Sequence, residues 1–242
     1  MTAVTHDSIA LRGAGVITIS QPKKGHRFTL DSILLADFCR IKSRERVLEP
    51  GSGTGIISLL LARKYPRSLI YPVEIQDDLY GLCEENRKSN NLENVTGVHC
   101  DLRRLDQSIS PDGIDVIVTN PPYTKEGTGK KSPLLERRIA RQDLLGKLEF
   151  WLDLQKFLKQ GGRYNLVLPA SRSAELFSLM RERRLEPKRI RYVHPKEHKP
   201  ASLVLVEAVK AAGPGLIALP PLFVHEPDGS YTDEMRSIYN LS

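Results

Sequence analysis

Residues 46–55 read Arg46-Val47-Leu48-Glu49-Pro50-Gly51-Ser52-Gly53-Thr54-Gly55. The run Arg46 to Glu49, centred on Val47-Leu48, predicts a short buried strand. It passes directly into a turn with glycine at every second position, where the backbone can bend sharply and let a ligand come close. Ile56 to Lys64 then predicts a helix that stops before Pro66. Strand, glycine-rich turn and helix make the first half of a βαβ unit. A dinucleotide-binding turn would carry a glycine at position 56, and Ile56 stands there instead.

The pattern continues on both sides. Upstream, residues 1–28 are polar and Gly-rich around the apolar patch Val16-Ile17-Thr18-Ile19, which predicts an N-terminal arm or hairpin. Thr29 or Asp31 is placed to cap a helix through Ile33, Leu34, Leu35 and Phe38. Downstream, strands are expected at Leu69–Ile75, Val95–Cys100, Ile114–Thr119 and Tyr164–Leu168. Helices are expected at Asp77–Asn90, over 136–160 with a bend near Gly146, and at Ser171–Arg183. Gly161-Gly162 reads as a helix stop. Two late strands, Ile190–Val193 and Leu203–Val209, are separated only by a loop and predict an antiparallel hairpin at one edge. The Pro- and Gly-rich tail, 213–242, reads as irregular. The expected fold class is α/β: a Rossmann-like, seven-stranded, mostly parallel sheet with an antiparallel edge hairpin and helices on both faces. Residues 29–242 are expected to form this domain, after the arm or hairpin of 1–28. Ligands of such sheets sit at the carboxyl ends of the strands, so one rim is the place to look for chemistry.

The chain has 242 residues, 40% hydrophobic and 27% charged, as suits a globular domain. No apolar run reaches the ~20 residues of a membrane helix. The N-terminus lacks the basic start and apolar stretch of a secretory signal. Cys39, Cys83 and Cys100 are far apart and odd in number. That argues against a disulfide framework or a CxxC metal site, and suits small buried hydrophobes in a reducing cytoplasm. Among the histidines only His194 and His198 have a ligand-like spacing. Pro195 and Pro200 break the helix that would align them, so no metal is expected.

The net charge is +7, and it is local. Residues 124–141 carry Lys125, Lys130, Lys131, Arg137, Arg138 and Arg141 against Glu126 and Glu136, a net of +4. Residues 181–199, which include Lys196 and Lys199, carry +5, and Lys23 to Arg27 adds +3. The remainder of the chain is net negative. A phosphate-binding face accounts for this better than an evenly solvated surface does.

The tight Gly51-x-Gly53-x-Gly55, with Glu49 two residues before it, resembles motif I of class I methyltransferases that use S-adenosylmethionine (SAM). The resemblance implies SAM as cofactor, with Glu49 suited to its positive charge and the glycines giving backbone access. Glu74 and Asp101 follow at the ends of the next two strands. A single acid at a strand end is commonly just solvent-facing, but three in order point to a ligand. Glu74 is placed to accept from ribose hydroxyls, and Asp101 from an adenine amino group.

After Ile114–Thr119 comes Asn120-Pro121-Pro122-Tyr123. Two prolines alone make a stiff strand exit. At the end of a fourth strand, beside the glycine turn, the tetrapeptide closely resembles the (D/N)PP(Y/F) motif of amino-methyltransferases. The residues fit that chemistry. An exocyclic or amide nitrogen is a poor nucleophile because its lone pair is delocalised. The Asn120 side-chain oxygen and the Pro121 carbonyl can each accept one of its N–H bonds and aim the lone pair. The prolines hold the carbonyl in place, and Tyr123 offers a face for stacking a base. No metal or strong base is needed, since positioning supplies most of the acceleration. DNA enzymes often carry Asp in the first position, so Asn120 leans towards RNA or protein targets.

Flanking blocks narrow the resemblance. Arg27-Phe28-Thr29-Leu30-Asp31-Ser32-Ile33-Leu34-Leu35-Ala36-Asp37-Phe38, the Gly127-Thr128-Gly129 loop and Glu136-Arg137-Arg138-Ile139-Ala140-Arg141 resemble blocks of the tRNA1(Val) adenine-N6 methyltransferase family. So do Pro220-Pro221-Leu222-Phe223-Val224, Gly229-Ser230-Tyr231-Thr232 and Ile238-Tyr239. His26 departs from that pattern, where an aromatic such as Tyr is expected. The resemblance implies tRNA as partner and N6 of the adenosine beside the anticodon of a valine tRNA as target. It also implies that Phe28 and Asp31 close over the SAM and target pocket, although Phe28 reads equally as core packing. The basic residues after Tyr123 would clamp phosphates around an extruded base, and Lys196 and Lys199 would touch tRNA. Extrusion from a single-stranded loop is easier than from a duplex. The oligomeric state stays open.

Three rivals share parts of this pattern. A glutamine-N5 methyltransferase of release factors would carry a helical N-terminal domain, for which 28 residues leave no room. An rRNA guanine-N2 enzyme more often ends its tetrapeptide in Phe. A non-catalytic RNA-binding protein would not need Glu49, Asn120 and Tyr123 together. Trp151 reads as core.

Overall fold

The computed structural model describes residues 4–23, 27–122 and 147–241. Strands β1 (Val4–Leu11) and β2 (Gly15–Pro22) form an antiparallel hairpin. Strand alternation sends Ile9, Leu11, Ile17 and Ile19 into the core. There follow α1 (Leu30–Phe38), β3 (Arg46–Pro50), α2 (Ile56–Lys64), β4 (Leu69–Glu74), α3 (Asp77–Ser89), β5 (Val98–His99) and β6 (Ile114–Thr119). The second half holds α4 (Leu148–Asp153), β7 (Leu158–Pro169), α5 (Ser173–Glu182), β8 (Leu185–His194), β9 (Leu203–Lys210), β10 (Ile217–Ala218), β11 (Leu222–Phe223) and α6 (Asp233–Ile238). The hairpin is fastened to α3 by two asparagines. The Asn86 and Asn90 amides exchange hydrogen bonds of 2.6–3.0 Å with the backbone of Ser20 and Thr18.

The large sheet runs β10-β8-β9-β7-β6-β3-β4-β5, with β11 also on β8. Seven of these strands, β3 to β9, correspond to those expected. β9 is antiparallel to both its neighbours, and the other pairings are parallel. One apolar layer packs α1, α2 and the hairpin on one face, and a second packs α4 and α5 on the other. Strand order reverses between β3 and β6, which opens a crevice at their carboxyl ends.

The late hairpin lies at the expected end of the sheet, with β9 inserted between β7 and β8 and the short β10 and β11 added on the outer side of β8. Four expectations are corrected. With β10, β11 and α6 in it, the tail is not irregular throughout. Arg191 holds it through a two-point ion pair with Glu234 (2.8 and 2.7 Å), and Thr232 caps α6. The expected strand Val95–Cys100 shortens to Val98–His99, with an isolated bridge from Val95 to Ile70. Gly97 lies in the gap, packed so closely that a Cβ there would meet Glu84 Oε1 at 2.5 Å. The helix expected over 136–160 is, in its described part, α4 and a tight turn over 154–157, and the chain is already strand at Leu158. Gly161-Gly162 stops no helix. It lies inside β7 at an irregularity opposite Ile114–Val116, with Gly161 at φ 73°. Residues 136–146 lie outside the described residues.

Candidate active site

The glycine turn is stitched to β4. Gly51 and Ser52 donate their N–H groups to the Val73 carbonyl at 2.9 and 3.0 Å, and Gly53 donates to Glu74 Oε2 at 3.0 Å. Gly51, Gly53 and Gly55 have φ of 70°, 57° and 85°, the left-handed region that costs other residues about 1–2 kcal/mol. Their surroundings differ. A Cβ on Gly51 would meet Trp151 at 2.8 Å and one on Gly55 would meet Cys83 Sγ at 2.5 Å, whereas one on Gly53 would find nothing within 4 Å. The middle glycine faces open space and the outer two are packed. Ser52 Oγ is buried in this turn and has no hydrogen-bond partner among the described residues. Such an orphan costs on the order of 1–3 kcal/mol, which a bound polar ligand would offset.

The three strand-end acids stand in different surroundings. Glu49 is 2% exposed, and its Oε2 accepts from the Ser58 N–H (2.8 Å) and Ser58 Oγ (2.5 Å) of α2. Burial pushes its carboxyl up to about 8, the Ser58 hydrogen bonds oppose the rise, and the Glu74 charge adds to it. A neighbouring cation would favour the ionised form. Glu74, also buried, accepts from the Ile75 and Gln76 N–H groups at 2.9 Å each through Oε1. With Gly53 on its other oxygen, it is the knot between β4 and the turn. Gln76 Nε2 adds a longer bond to Oε1 at 3.4 Å, so the acceptor position left for a ligand hydroxyl is on Oε2, which receives the Gly53 N–H. Asp101 is only half-buried. It caps the turn over 102–107 by accepting from the Arg103 N–H at 3.0 Å, and it pairs with the Arg103 guanidinium. An adenine amino group would have to share it with Arg103. An open face at Gly53, an orphaned Ser52 hydroxyl and two buried carboxyls suit a cationic ligand with hydroxyl donors, such as SAM.

The tetrapeptide begins beside this turn. Thr119 Oγ1, fully buried, donates to the Pro50 carbonyl at 3.2 Å and clamps the end of β6 to the end of β3. Asn120 follows, and its side-chain Nδ2 donates to Ser32 Oγ at 3.2 Å, in the first turn of α1. Pro121 is buried and Pro122 exposed. Asp31 lies next to Ser32 at the start of α1, half-buried. Phe28 packs against the apolar cluster under the hairpin, and its N–H donates to Gln21 Oε1 at 3.3 Å. Tyr123 and the cations Lys125, Lys130, Lys131, Arg137, Arg138 and Arg141 lie outside the described residues, as does His26. Lys196 and Lys199 are described, just past the carboxyl end of β8 and so on the same rim. The Lys196 ammonium is tied to the Pro227 carbonyl at 3.0 Å, while Lys199 is exposed. His194 Nδ1 bonds the Lys199 carbonyl at 2.7 Å.

Sequence reasoning did not single out Ser52, Ser58 or Asn86. Asn86 bridges the Thr54 carbonyl of the glycine turn (3.1 Å) and the Ser20 carbonyl of the hairpin (2.9 Å). No motif marks Ser58 or Asn86, because their partners lie on other elements. Among the described residues no three His, Cys, Asp or Glu side chains gather as a metal site, and no helix is long and apolar enough to cross a membrane.

A mainly parallel sheet with one inserted antiparallel strand, a glycine turn at its switch point and an Asn-Pro-Pro strand exit define a SAM-dependent methyltransferase. The chain belongs to the methyltransferase domain family, which it matches over residues 41–198. It is similar to a tRNA1(Val) (adenine(37)-N6)-methyltransferase of Parabacteroides distasonis, 29% identical over 78% of this chain and 79% of the relative. It is also similar to the protein of the same description from Actinobacillus pleuropneumoniae serotype 7, 25% identical over 91% of each. Among solved structures, a predicted O-methyltransferase from Agrobacterium tumefaciens shares the fold with a TM-score of 0.68 at 18% identity, over 87% of this chain and 96% of that one. TYW2 of M. jannaschii in complex with AdoMet does so with a TM-score of 0.53 at 16% identity, over 86% and 87%.

Proposed function

We propose that this enzyme transfers the methyl group of SAM to N6 of an adenine in tRNA, and that Asn120 to Tyr123 hold the accepting nitrogen. One observation carries the reading: Thr119 fastens the end of β6 to Pro50, so Asn120 and Pro121 emerge beside the glycine turn. The tRNA adenine is supported by the description shared by relatives that align over most of the chain, and by the local basic charge.

SAM supplies an electrophilic methyl group carried on a sulfonium. Asn120 Oδ1 accepts one N6–H and the Pro121 carbonyl the other, which turns the nitrogen lone pair out of the ring plane and towards the methyl carbon. The prolines hold that carbonyl without an ordering penalty. The bound donor would supply the methyl group and keep the S–C electron pair as a neutral thioether, while Asn120 Oδ1 and the Pro121 carbonyl hold the N6–H whose proton is lost to water. Glu49, Gly51, Gly53, Gly55, Glu74 and Asp101 bind the donor, and Phe28 and Asp31 flank the site at α1. Tyr123 stacks the base. Lys125, Lys130, Lys131, Arg137, Arg138 and Arg141, with Lys196 and Lys199, bind phosphates.

Purified protein incubated with SAM and total tRNA should yield N6-methyladenosine in nucleoside mass mapping. Asn120→Ala should lower the rate at least about 100-fold, the order expected for losing a positioning contact. A mutant with full activity would refute the mechanism. Another methylated nucleoside in place of N6-methyladenosine would refute the substrate and leave the methyltransferase standing.

A further inference from the structure

Trp151 is the single tryptophan of the chain. It is 4% exposed and belongs to the apolar layer under α4 and α5. Core packing explains its burial but not where its ring edge ends. That edge lies on the Cα of Gly51: a methyl there would meet Cη2 at 2.8 Å and Cζ3 at 3.2 Å. The turn is thus held from two directions. On the β4 side, hydrogen bonds to Val73 and Glu74 hold it. From the second apolar layer, it is the indole that bears on it. The main chain that carries the indole is itself fixed, since Tyr164, fully buried on β7, donates its hydroxyl to the Trp151 backbone carbonyl at 2.5 Å. Phe150 stands edge-on to the indole, with ring centroids 5.9 Å apart.

We infer that Trp151 is a positioning residue for the methyl donor. It presses on Gly51 and sets the register of the turn, so that the open face at Gly53 and the Ser52 hydroxyl meet the donor in one geometry. Preorganisation of this kind acts on donor affinity rather than on the methyl-transfer step. The assignment rests on the reading that this turn binds SAM. It has a second consequence. The emission of the only tryptophan reports on occupancy of the turn, because a ligand seated there changes the packing and field one residue away.

The experiment is a SAM titration followed by calorimetry and by tryptophan emission. The wild type should show an emission change that saturates with the calorimetric Kd. Trp151→Phe keeps an aromatic ring but withdraws the edge from Gly51. It should raise Kd, and KM for SAM, about tenfold while kcat stays within about twofold. Gly51→Ala should weaken binding at least about 100-fold, to a Kd still within reach of calorimetry, through the clash and its positive φ. Gly51→Ala with Trp151→Phe should regain part of it, binding at least about tenfold more tightly than Gly51→Ala alone. A structural role confined to the core would give additive losses and no such recovery. Unchanged emission at saturating SAM, or a Trp151→Phe Kd within twofold of wild type, would overturn the inference. Absence of any SAM binding by the wild type would instead bring down the reading of the turn itself.

Discussion

The two flanks of the crevice hold their carboxylates by different means. On the β3–β4 flank, Glu49 and Glu74 are buried and receive their hydrogen bonds mainly from the main chain, with Ser58 Oγ added at Glu49. On the β5 flank, Asp101 is half-exposed and gives much of its capacity to a neighbouring side chain, Arg103. The first arrangement shapes the turn and leaves defined acceptor positions. The second can exchange partners, because an exposed ion pair is worth only about 0–1 kcal/mol. An acid at a strand end is therefore not one kind of residue. Its donors and its burial decide whether it is scaffold, charge or adjustable contact.

The largest effect that would break this contrast is expected at Glu74. Glu74→Ala leaves the amides of Gly53, Ile75 and Gln76 without their acceptor. At about 0.5–1.5 kcal/mol for each of the three hydrogen bonds lost, the loss is on the order of 3 kcal/mol in thermal or denaturant unfolding, with SAM binding lost as the turn loosens. Wild-type stability within about 0.5 kcal/mol would show that the turn does not depend on this carboxylate.

Next comes Glu49, where the effect depends on pH. Its folded carboxyl titrates near 8 against an ordinary 4.5, so between these values the folded state holds the proton more firmly than the unfolded chain. Stability without ligand should fall as pH rises from about 5 through 8, by an amount on the order of a few kcal/mol. Glu49→Gln should flatten that slope. A cationic donor pulls the other way: SAM affinity should climb over the same range in the wild type and stay level in Glu49→Gln. Parallel slopes in the two proteins, followed by calorimetry, would remove Glu49 from the charge balance. The smallest effect is expected at Asp101. Asp101→Ala should change stability by no more than about 1 kcal/mol and raise KM for SAM a few-fold with kcat unchanged. A loss comparable to that of Glu74→Ala would erase the distinction between the flanks.

Much of the first half of the chain is legible in the sequence alone. The strand at Arg46, the helix Ile56–Lys64 and the strand Ile114–Thr119 stand where apolar patterning and punctuation by Gly and Pro placed them. Each is encoded within some ten residues of itself. The second half was read less well. Leu158 to Gly162 carry two glycines and resemble a helix stop, yet they are held as strand by Ile114–Val116, more than forty residues upstream. The two-residue strands of the tail have no period to detect, and they exist because β8 offers them an unpaired edge.

What the sequence by itself determined is the set of local signals: a glycine turn after a strand, an acid before it, prolines at a strand exit and charge gathered into a few segments. These follow from conformational limits that a residue carries wherever it is placed. Only the tertiary structure decided that β9 inserts between β7 and β8 and that Trp151 reaches Gly51 from a hundred residues away. It also decided that Glu49 is buried deeply enough to resist ionisation. Pairing and burial depend on neighbours that the chain meets only once it is folded, and no local spacing records them.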